Sequence, residues 1–256
     1  MQNPMDLTGQ VFVITGAVRG IGLAIAEQFA QLGALVCGWD RALGGAESDA
    51  AKSGGAAGPA SPFALLQQVD VTQPEQTEAA CAAVLEKFGR LDGIIANAGI
   101  NGPTKPLWDY SPADWQQVMD VNLSGVFFSV QPVLRHLRQT GQGRIVIISS
   151  VGGKEGNPGA VPYGASKAGV IGFAKGLAKE VLPSQITVNC IAPAMAETDL
   201  LTGMSADYIA DKKSRIPMGR LCTPAEIASM TAFVASQACS FTTGQVFDVT
   251  GGRATW

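Results

Sequence analysis

The strongest constraint on this chain's fold is a repeated rhythm that begins close to the amino terminus. A β-branched run, VFVIT (11–15), leads directly into a glycine-rich loop, TGAVRGIG (15–22). A helix-patterned segment, IGLAIAEQFAQLG (21–33), and a second apolar run, ALVCGWD (34–40), follow. Strand, helix and strand in that order form a βαβ unit, whose helix carries the chain back so that the two strands run parallel. The rhythm continues in FALLQQVDV (63–71), LDGIIANAG (91–99), RIVIISS (144–150), ITVNCIAP (186–193) and GQVFDVTGG (244–252). These runs are almost continuously apolar rather than alternating, as expected of parallel strands covered on both faces.

The expected fold is therefore α/β: a doubly wound parallel sheet of Rossmann type, in three α/β/α layers, with residues 1–256 forming a single domain. Hydrophobic residues make up 46% of the chain and charged residues 15%, enough apolar material for a large core and too little charge for disorder. The Gly/Ala/Ser-rich segment 44–62 reads as a surface connection around a short helix, because strands resume at once in the same style. A second irregular stretch, 194–220, follows a strand end and is the candidate substrate lid.

Several function classes are disfavoured. A net charge of −3 argues against a nucleic-acid partner. No segment approaches the ~18 uninterrupted apolar residues of a membrane span, and the start MQNPMDLTGQ lacks the pattern of a secretory signal. Five cysteines, scattered singly, indicate neither a disulfide framework nor a zinc ribbon, so a cytoplasmic protein is expected. His136 is the one histidine, too few for a His-rich metal site or a His-based triad, and no metal is expected.

The loop between the first strand and the first helix points to a dinucleotide. Gly16, Gly20 and Gly22 let the backbone turn tightly and admit a pyrophosphate close to a helix N-terminus. Their G-x-x-x-G-x-G spacing differs from the G-x-G-x-x-G fingerprint, so their position between strand and helix carries the weight. Asp40 ends the second strand, where an acid accepts hydrogen bonds from a ribose and repels a 2′-phosphate. NAD is favoured over NADP, although Arg19 and Arg41 are both placed to pair with a 2′-phosphate.

YGASK (163–167) puts a phenol and an ammonium about one helical turn apart, on one face. An isolated tyrosine, with a pKa of about 10, is only about 0.1% ionised at neutral pH and makes a poor base. A cation within ~4–6 Å moves such a pKa by ~1–3 units towards the charged form, so Lys167 can activate Tyr163 to exchange a proton with an alcohol or ketone. Upstream, RIVIISS ends in Ser149 and Ser150, where a hydroxyl can orient the reacting oxygen.

TGAVRGIG, NAG (97–99), YGASK and the late GG, in this order and over nearly the whole chain, resemble the single-domain branch of the short-chain dehydrogenase/reductases. The resemblance implies Tyr163 as catalytic acid/base and Lys167 as its partner on the nicotinamide ribose. Ser150 orients the substrate, and the backbone of Asn122 holds a relay water. It extends the cofactor set from Gly16, Arg19, Gly20, Ile21, Gly22, Asp40 and Arg41 to Asp70, Val71, Asn97, Ala98, Gly99, Pro193 and Thr198. Two departures stand out. Ala96 replaces the first asparagine of N-N-A-G, putting one structural hydrogen bond in doubt. Pro193–Ala194 replaces Pro-Gly.

Lys154, Glu155 and Asn157, soon after Ser150, together with Met195, are candidate substrate contacts suited to a hydroxylated alcohol or ketone. SSVGGKEGNPG, IPMGR and FDVTGGRATW resemble family members that oxidise 2-keto-3-deoxy-fuconate or -rhamnonate; a β-ketoacyl or general carbonyl reductase is the alternative. A non-catalytic nucleotide sensor would be expected to have lost part of the catalytic set. Gly164, Gly169, Gly172 and Gly176 in one helix call for compensation by packing against another chain, and the resemblance implies a homotetramer. Arg253 or Trp256 is then a candidate for closing a neighbouring subunit's pocket.

Overall fold

The computed structural model describes residues 3–43, 61–198 and 206–255. Seven parallel strands form one sheet in the order β3-β2-β1-β4-β5-β6-β7. They are β1 (Val11–Thr15), β2 (Leu35–Asp40), β3 (Phe63–Gln68), β4 (Gly93–Ala96), β5 (Gln142–Ile148), β6 (Gln185–Pro193) and β7 (Val246–Val249). Each expected apolar run supplies one strand. The short helix expected within 44–62 falls almost wholly outside the described residues.

Three layers follow from how the strands share their side chains. Val11 and Val13 of β1 point into one core, while Phe12 and Ile14 point into the other; Ile145 and Ile147 of β5 are divided from Val146 and Ile148 in the same way. Burial on both faces explains why the sequence shows continuous rather than alternating hydrophobicity. The first core is covered by α2 (Pro74–Phe88), α4 (Gly125–Thr140) and α5 (Val161–Glu180). The second is covered by α1 (Gly20–Gln31) and α7 (Pro224–Ala235). The helix α3 (Pro112–Met119) begins at a reciprocal capping box between Ser111 and Asp114 and runs into α4 through a π-turn, Asp120–Ser124. The helix α6 (Ala206–Ser214) lies within the expected lid.

From β1 the chain proceeds outward to β2 and β3, then crosses back to β4 and proceeds the other way. The strand order therefore reverses between β1 and β4, and a crevice opens at the carboxyl ends there. The reversal requires close approach of backbone to backbone. A Cβ at Gly22 would lie 2.0 Å from the Gly16 carbonyl oxygen and 2.7 Å from Asn97 Nδ2. Gly22→Ala is expected to destabilise the chain by about 1–3 kcal/mol through overpacking, read as a lowered denaturation midpoint. An unchanged midpoint would show that the loop can shift to make room.

Candidate active site

Residues that follow the carboxyl ends of β1, β2, β4, β5 and β6 line a single cavity of ≈ 430 Å³. At one end, Gly16 (φ 64°) and Gly20 (φ 55°) hold the left-handed conformation that suits glycine. Arg19 occupies the N-cap of α1 but makes no side-chain cap bond, and the first turn holds no acidic residue. The orphan N–H groups of this turn are therefore left for an anion, and Gly20, Ile21 and Gly22 border the cavity there.

Asp40 Oδ2 accepts from the Val18 amide at 3.2 Å and Oδ1 from the Ala42 amide at 3.4 Å, which fixes the carboxylate beside the glycine loop. Arg41, exposed, borders the same end. Asp70 Oδ1 accepts from the amide and hydroxyl of Thr72, at 2.9 and 2.7 Å, and Val71 follows it on the cavity wall.

Asn97 joins the ends of β1 and β4. Its Nδ2 donates to the carbonyls of Thr15 and Gly16, at 2.9 and 3.1 Å, while the amides of Asn97 and Ala98 donate to Thr15 Oγ1. The departure at Ala96 is accommodated here: Ala96 is buried in the first core, and the neighbouring Asn97 supplies the tie.

Lys167 is 5% exposed and donates from Nζ to the Ile148 carbonyl at 2.7 Å, while Ser149 Oγ donates to the Lys167 carbonyl at 2.8 Å. These two bonds fasten α5 to the end of β5. Burial lowers the Lys167 ammonium from an ordinary 10.5 to about 8, with the nearby Cys190 thiol opposing it weakly. It still carries its proton at neutral pH. Its Nζ lies 5.9 Å from the centroid of the Tyr163 ring, one helical turn away, as the spacing implies. Ser150, beside them on the cavity wall, accepts the Gly152 amide on Oγ at 3.1 Å, which leaves its hydroxyl hydrogen to be donated elsewhere. Gly99 leaves space over this set; a Cβ there would stand 3.4 Å from Lys167 Nζ.

All sixteen residues expected to hold the cofactor border this one cavity, as do Ser150, Asn157 and Met195. Other candidate residues do not border it. The role expected of Asn122 is a backbone one; its side chain, buried in the π-turn, braces the site by donating to Ile100 O at 2.8 Å and Ser166 Oγ at 3.0 Å and by accepting from the Ile100 amide. Lys154 and Glu155 do not border the cavity; Lys154 pairs with Asp248 at 2.6 Å and Glu155 with Arg253 at 2.9 Å. Arg253, considered from the sequence for a neighbour's pocket, lines the cavity of its own chain. Trp256 and residues 199–205 of the expected lid lie outside the described residues. Reading the sequence missed Lys212 and Asn101, which border the cavity. A signal for Lys212 was present: Ile209, Lys212 and Ile216 follow the i, i+3, i+7 spacing of one helical face.

The glycine cradle, the uncapped helix start and the acid at the end of β2 suit a dinucleotide, and the Tyr163–Lys167 pair with Ser150 suits proton exchange with an alcohol or ketone. The fold and this site define a short-chain dehydrogenase/reductase. The chain belongs to that family and is an oxidoreductase: a family model described as Enoyl-(Acyl carrier protein) reductase matches residues 16–254. A 2-dehydro-3-deoxy-L-rhamnonate dehydrogenase (NAD(+)) of Sphingomonas sp. (strain SKA58) is 39% identical over 97% of this chain and 96% of its own. A 3-oxoacyl-(acyl-carrier-protein) reductase of Vibrio cholerae serotype O1 is also 39% identical, over 97% of this chain and 98% of its own. Among solved structures, a 3-ketoacyl-(acyl-carrier-protein) reductase from Brucella melitensis complexed with NADH is similar at a TM-score of 0.88 and 32% identity, covering 97% of this chain and 100% of that one.

The depressed Lys167 value has a measurable consequence. Between pH about 8 and 10.5 the unfolded chain holds the Lys167 proton and the folded chain does not. The stability cost of the buried charge is therefore fully present below 8 and is relieved as pH rises through this window. In denaturant melts, the stability of wild type relative to Lys167→Met is expected to increase over that range. A pH-independent difference would show that this lysine is not desolvated.

Proposed function

We propose that the chain interconverts a secondary alcohol and a ketone by hydride transfer, with NAD as coenzyme and a hydroxylated sugar acid as substrate. The observation that carries this reading is the buried Lys167 cation one turn from Tyr163, with Ser150 on the same cavity wall. Gly16 to Gly22 would receive the pyrophosphate, Asp40 a ribose, Asp70 and Val71 the adenine, and Tyr163 and Lys167 the ribose beside the reacting ring. Asn97, Ala98 and Gly99 would form the floor, and Pro193 and Thr198 would meet the carboxamide side.

When bound, the nicotinamide dinucleotide supplies the hydride acceptor or donor. Ser150 donates its hydroxyl hydrogen to the substrate oxygen and so fixes the carbon that reacts. In the oxidative direction the Tyr163 oxygen takes the hydroxyl proton as the carbon gives up hydride; in the reductive direction it returns that proton to the carbonyl oxygen. Lys167 keeps the phenolate accessible because its charge sits in a dry environment, where charge–charge attraction is strong.

The sugar-acid reading is supported by polar groups on the substrate side of the cavity, Asn101 and Asn157, and by the similarity to the Sphingomonas rhamnonate dehydrogenase. A second reading, reduction of 3-oxoacyl thioesters, is supported by the equal identity to the Vibrio cholerae reductase. The NAD preference is supported by Asp40, whose carboxylate is held by two backbone amides against any 2′-phosphate. A homotetramer packed on α5 is supported by Gly172 and Gly176, which are exposed and have nothing within 4 Å of an added Cβ; a sedimenting monomer would refute it. Five free, buried cysteines support a cytoplasmic location, which fractionation of source cells would check.

Wild type supplied with NAD and a panel of sugar acids, polyols and hydroxyacyl thioesters is expected to turn over the sugar acids fastest. Tyr163→Phe should lose about 10²–10⁴-fold in turnover and still bind NADH by fluorescence titration. Retained turnover would remove Tyr163 from the proton path, and a dominant thioester rate would favour the second reading. Asp40→Ser is expected to shift the NAD-to-NADP ratio of kcat/KM at least about tenfold towards NADP, since removing like-charge opposition is worth at least about one such factor. An unmoved ratio would assign cofactor choice to Arg19 and Arg41.

A further inference from the structure

Two loops flank the substrate end of the cavity, and one tyrosine joins them. The first runs from the end of β4 to the start of α3 and carries Asn101; the second, residues 156–160, leads into α5 and carries Asn157. Asn157 stands beside the reacting groups: a Cβ added at Gly152 would lie 3.5 Å from Asn157 Cβ, 3.5 Å from Ser150 Oγ and 3.6 Å from Tyr163 Cε1. Asn101 follows Ile100, whose amide and carbonyl are both held by the Asn122 side chain, and its own Nδ2 donates to the Gly102 carbonyl at 3.1 Å.

What sets one loop against the other is a cluster around Tyr110. Its hydroxyl lies between two carbonyls, Pro103 O on the first loop and Gly159 O on the second, the latter at 3.3 Å. A phenol has one hydrogen to donate, so both loops are held to a common donor. The Gly159 carbonyl also accepts the Lys105 amide at 2.8 Å. The tyrosine is fixed in turn. Lys105 Nζ lies 5.2 Å from its ring centroid and pairs with Asp114 at 2.8 Å, and Asp114 is held by the capping box with Ser111 at the start of α3. Burial raises the Tyr110 phenol above its ordinary value, with Lys105 opposing and Asp114 adding to it, so the hydroxyl keeps its hydrogen at neutral pH.

We infer that Tyr110 is a positioning residue for substrate recognition: its hydroxyl holds the loop of Asn101 against the loop of Asn157 and so sets the gap across which the substrate is gripped. This rests on the reading that the substrate lies beside Ser150 and Tyr163 at this end of the cavity, and it applies to either substrate class considered above. Tyr110 does not border the cavity; it acts through the Gly159 carbonyl, two residues after Asn157. Lys167 and Ser149 fasten α5 to β5 independently of this link, so its loss leaves the proton-transfer set in place.

The test is Tyr110→Phe, which keeps the ring beside Lys105 and removes only the hydroxyl, assayed with saturating NAD on 2-dehydro-3-deoxy-L-rhamnonate. Substrate KM is expected to rise about 3–10-fold, the worth of one neutral hydrogen bond, with kcat and NADH affinity as in wild type. In an Asn157→Ala background the same substitution should leave KM nearly unchanged, because the side chain it positions is gone; a merely structural tyrosine would act equally in both backgrounds. Trp108→Ala, on the same loop and 85% exposed, should behave as wild type. An unchanged KM in Tyr110→Phe would overturn the inference, as would an equal rise in both backgrounds or a fall in kcat without a change in KM. If wild type turns over only thioesters, the sugar-acid reading fails, and the same cycle is read, with the same expectations, on the N-acetylcysteamine thioester of 3-oxobutanoate with reduced coenzyme. If wild type turns over neither compound, the reading of this end of the cavity fails and the inference falls with it.

Discussion

The structure depends on keeping one ammonium dry. Moving a lysine out of water is costly, and Lys167 bears that cost with a hydrogen bond to the Ile148 carbonyl and close packing around it. A neutral side chain would fill the same space at lower cost, but it would remove the positive charge that stands one helical turn from Tyr163. Glycine makes the packing possible. A Cβ at Gly153 would come within 2.6 Å of the Lys167 carbonyl carbon, so the short helical turn after Ser150 can rest directly on the α5 backbone. The Ser149 hydroxyl locks the same contact from the strand side. Charge, strand end and helix are therefore one unit, and the position of Ser150 follows from it.

The reversal of strand order decides what this unit meets. Because β1 and β4 are neighbours although β2, β3 and α2 intervene in sequence, the glycine loop after β1 and the Asn97–Gly99 segment after β4 lie side by side. Thr15 and Asn97 stitch them together through four hydrogen bonds. The next strand outward brings Asp40, and the strand on the other side brings Ser149 and Ser150. Groups scattered over the chain thus converge on one crevice with little contribution from side-chain packing between them. Backbone amides and carbonyls set most of the cofactor half, which is why its signature is glycine spacing rather than a set of charged residues.

That difference governs how much could be read from the sequence. Strands buried on both faces announce themselves as apolar runs, and Tyr163 with Lys167 lie within one turn of one helix, so local spacing revealed both. The π-turn carrying Asn122 could not be seen, since VMDVNLSGVF continues the helical pattern on either side and the extra residue in the turn leaves no compositional trace. Lys154 and Glu155 were harder to place for another reason. Their partners, Asp248 and Arg253, lie at the far end of the chain, and the pairing of β5 with β6 and of β6 with β7 brings them together. A charge soon after Ser150 reads as a substrate contact until its distant counter-ion is known.

The same asymmetry bears on specificity. The cofactor half is tied into the two large cores through β1, β2 and β4, whereas Lys212 and Arg253 stand on a small satellite cluster around Val151, Ile216 and Ala254. Substitutions in that cluster can alter the substrate end without disturbing the strand order or the Lys167 environment. Relatives equally identical to this chain along its whole length, one named for a sugar acid and the other for an acyl-carrier substrate, are what such a division leads one to expect. The chemistry is set where the sheet reverses. Lys212 of α6 and Arg253 of the turn after β7 border the cavity without contributing to the sheet.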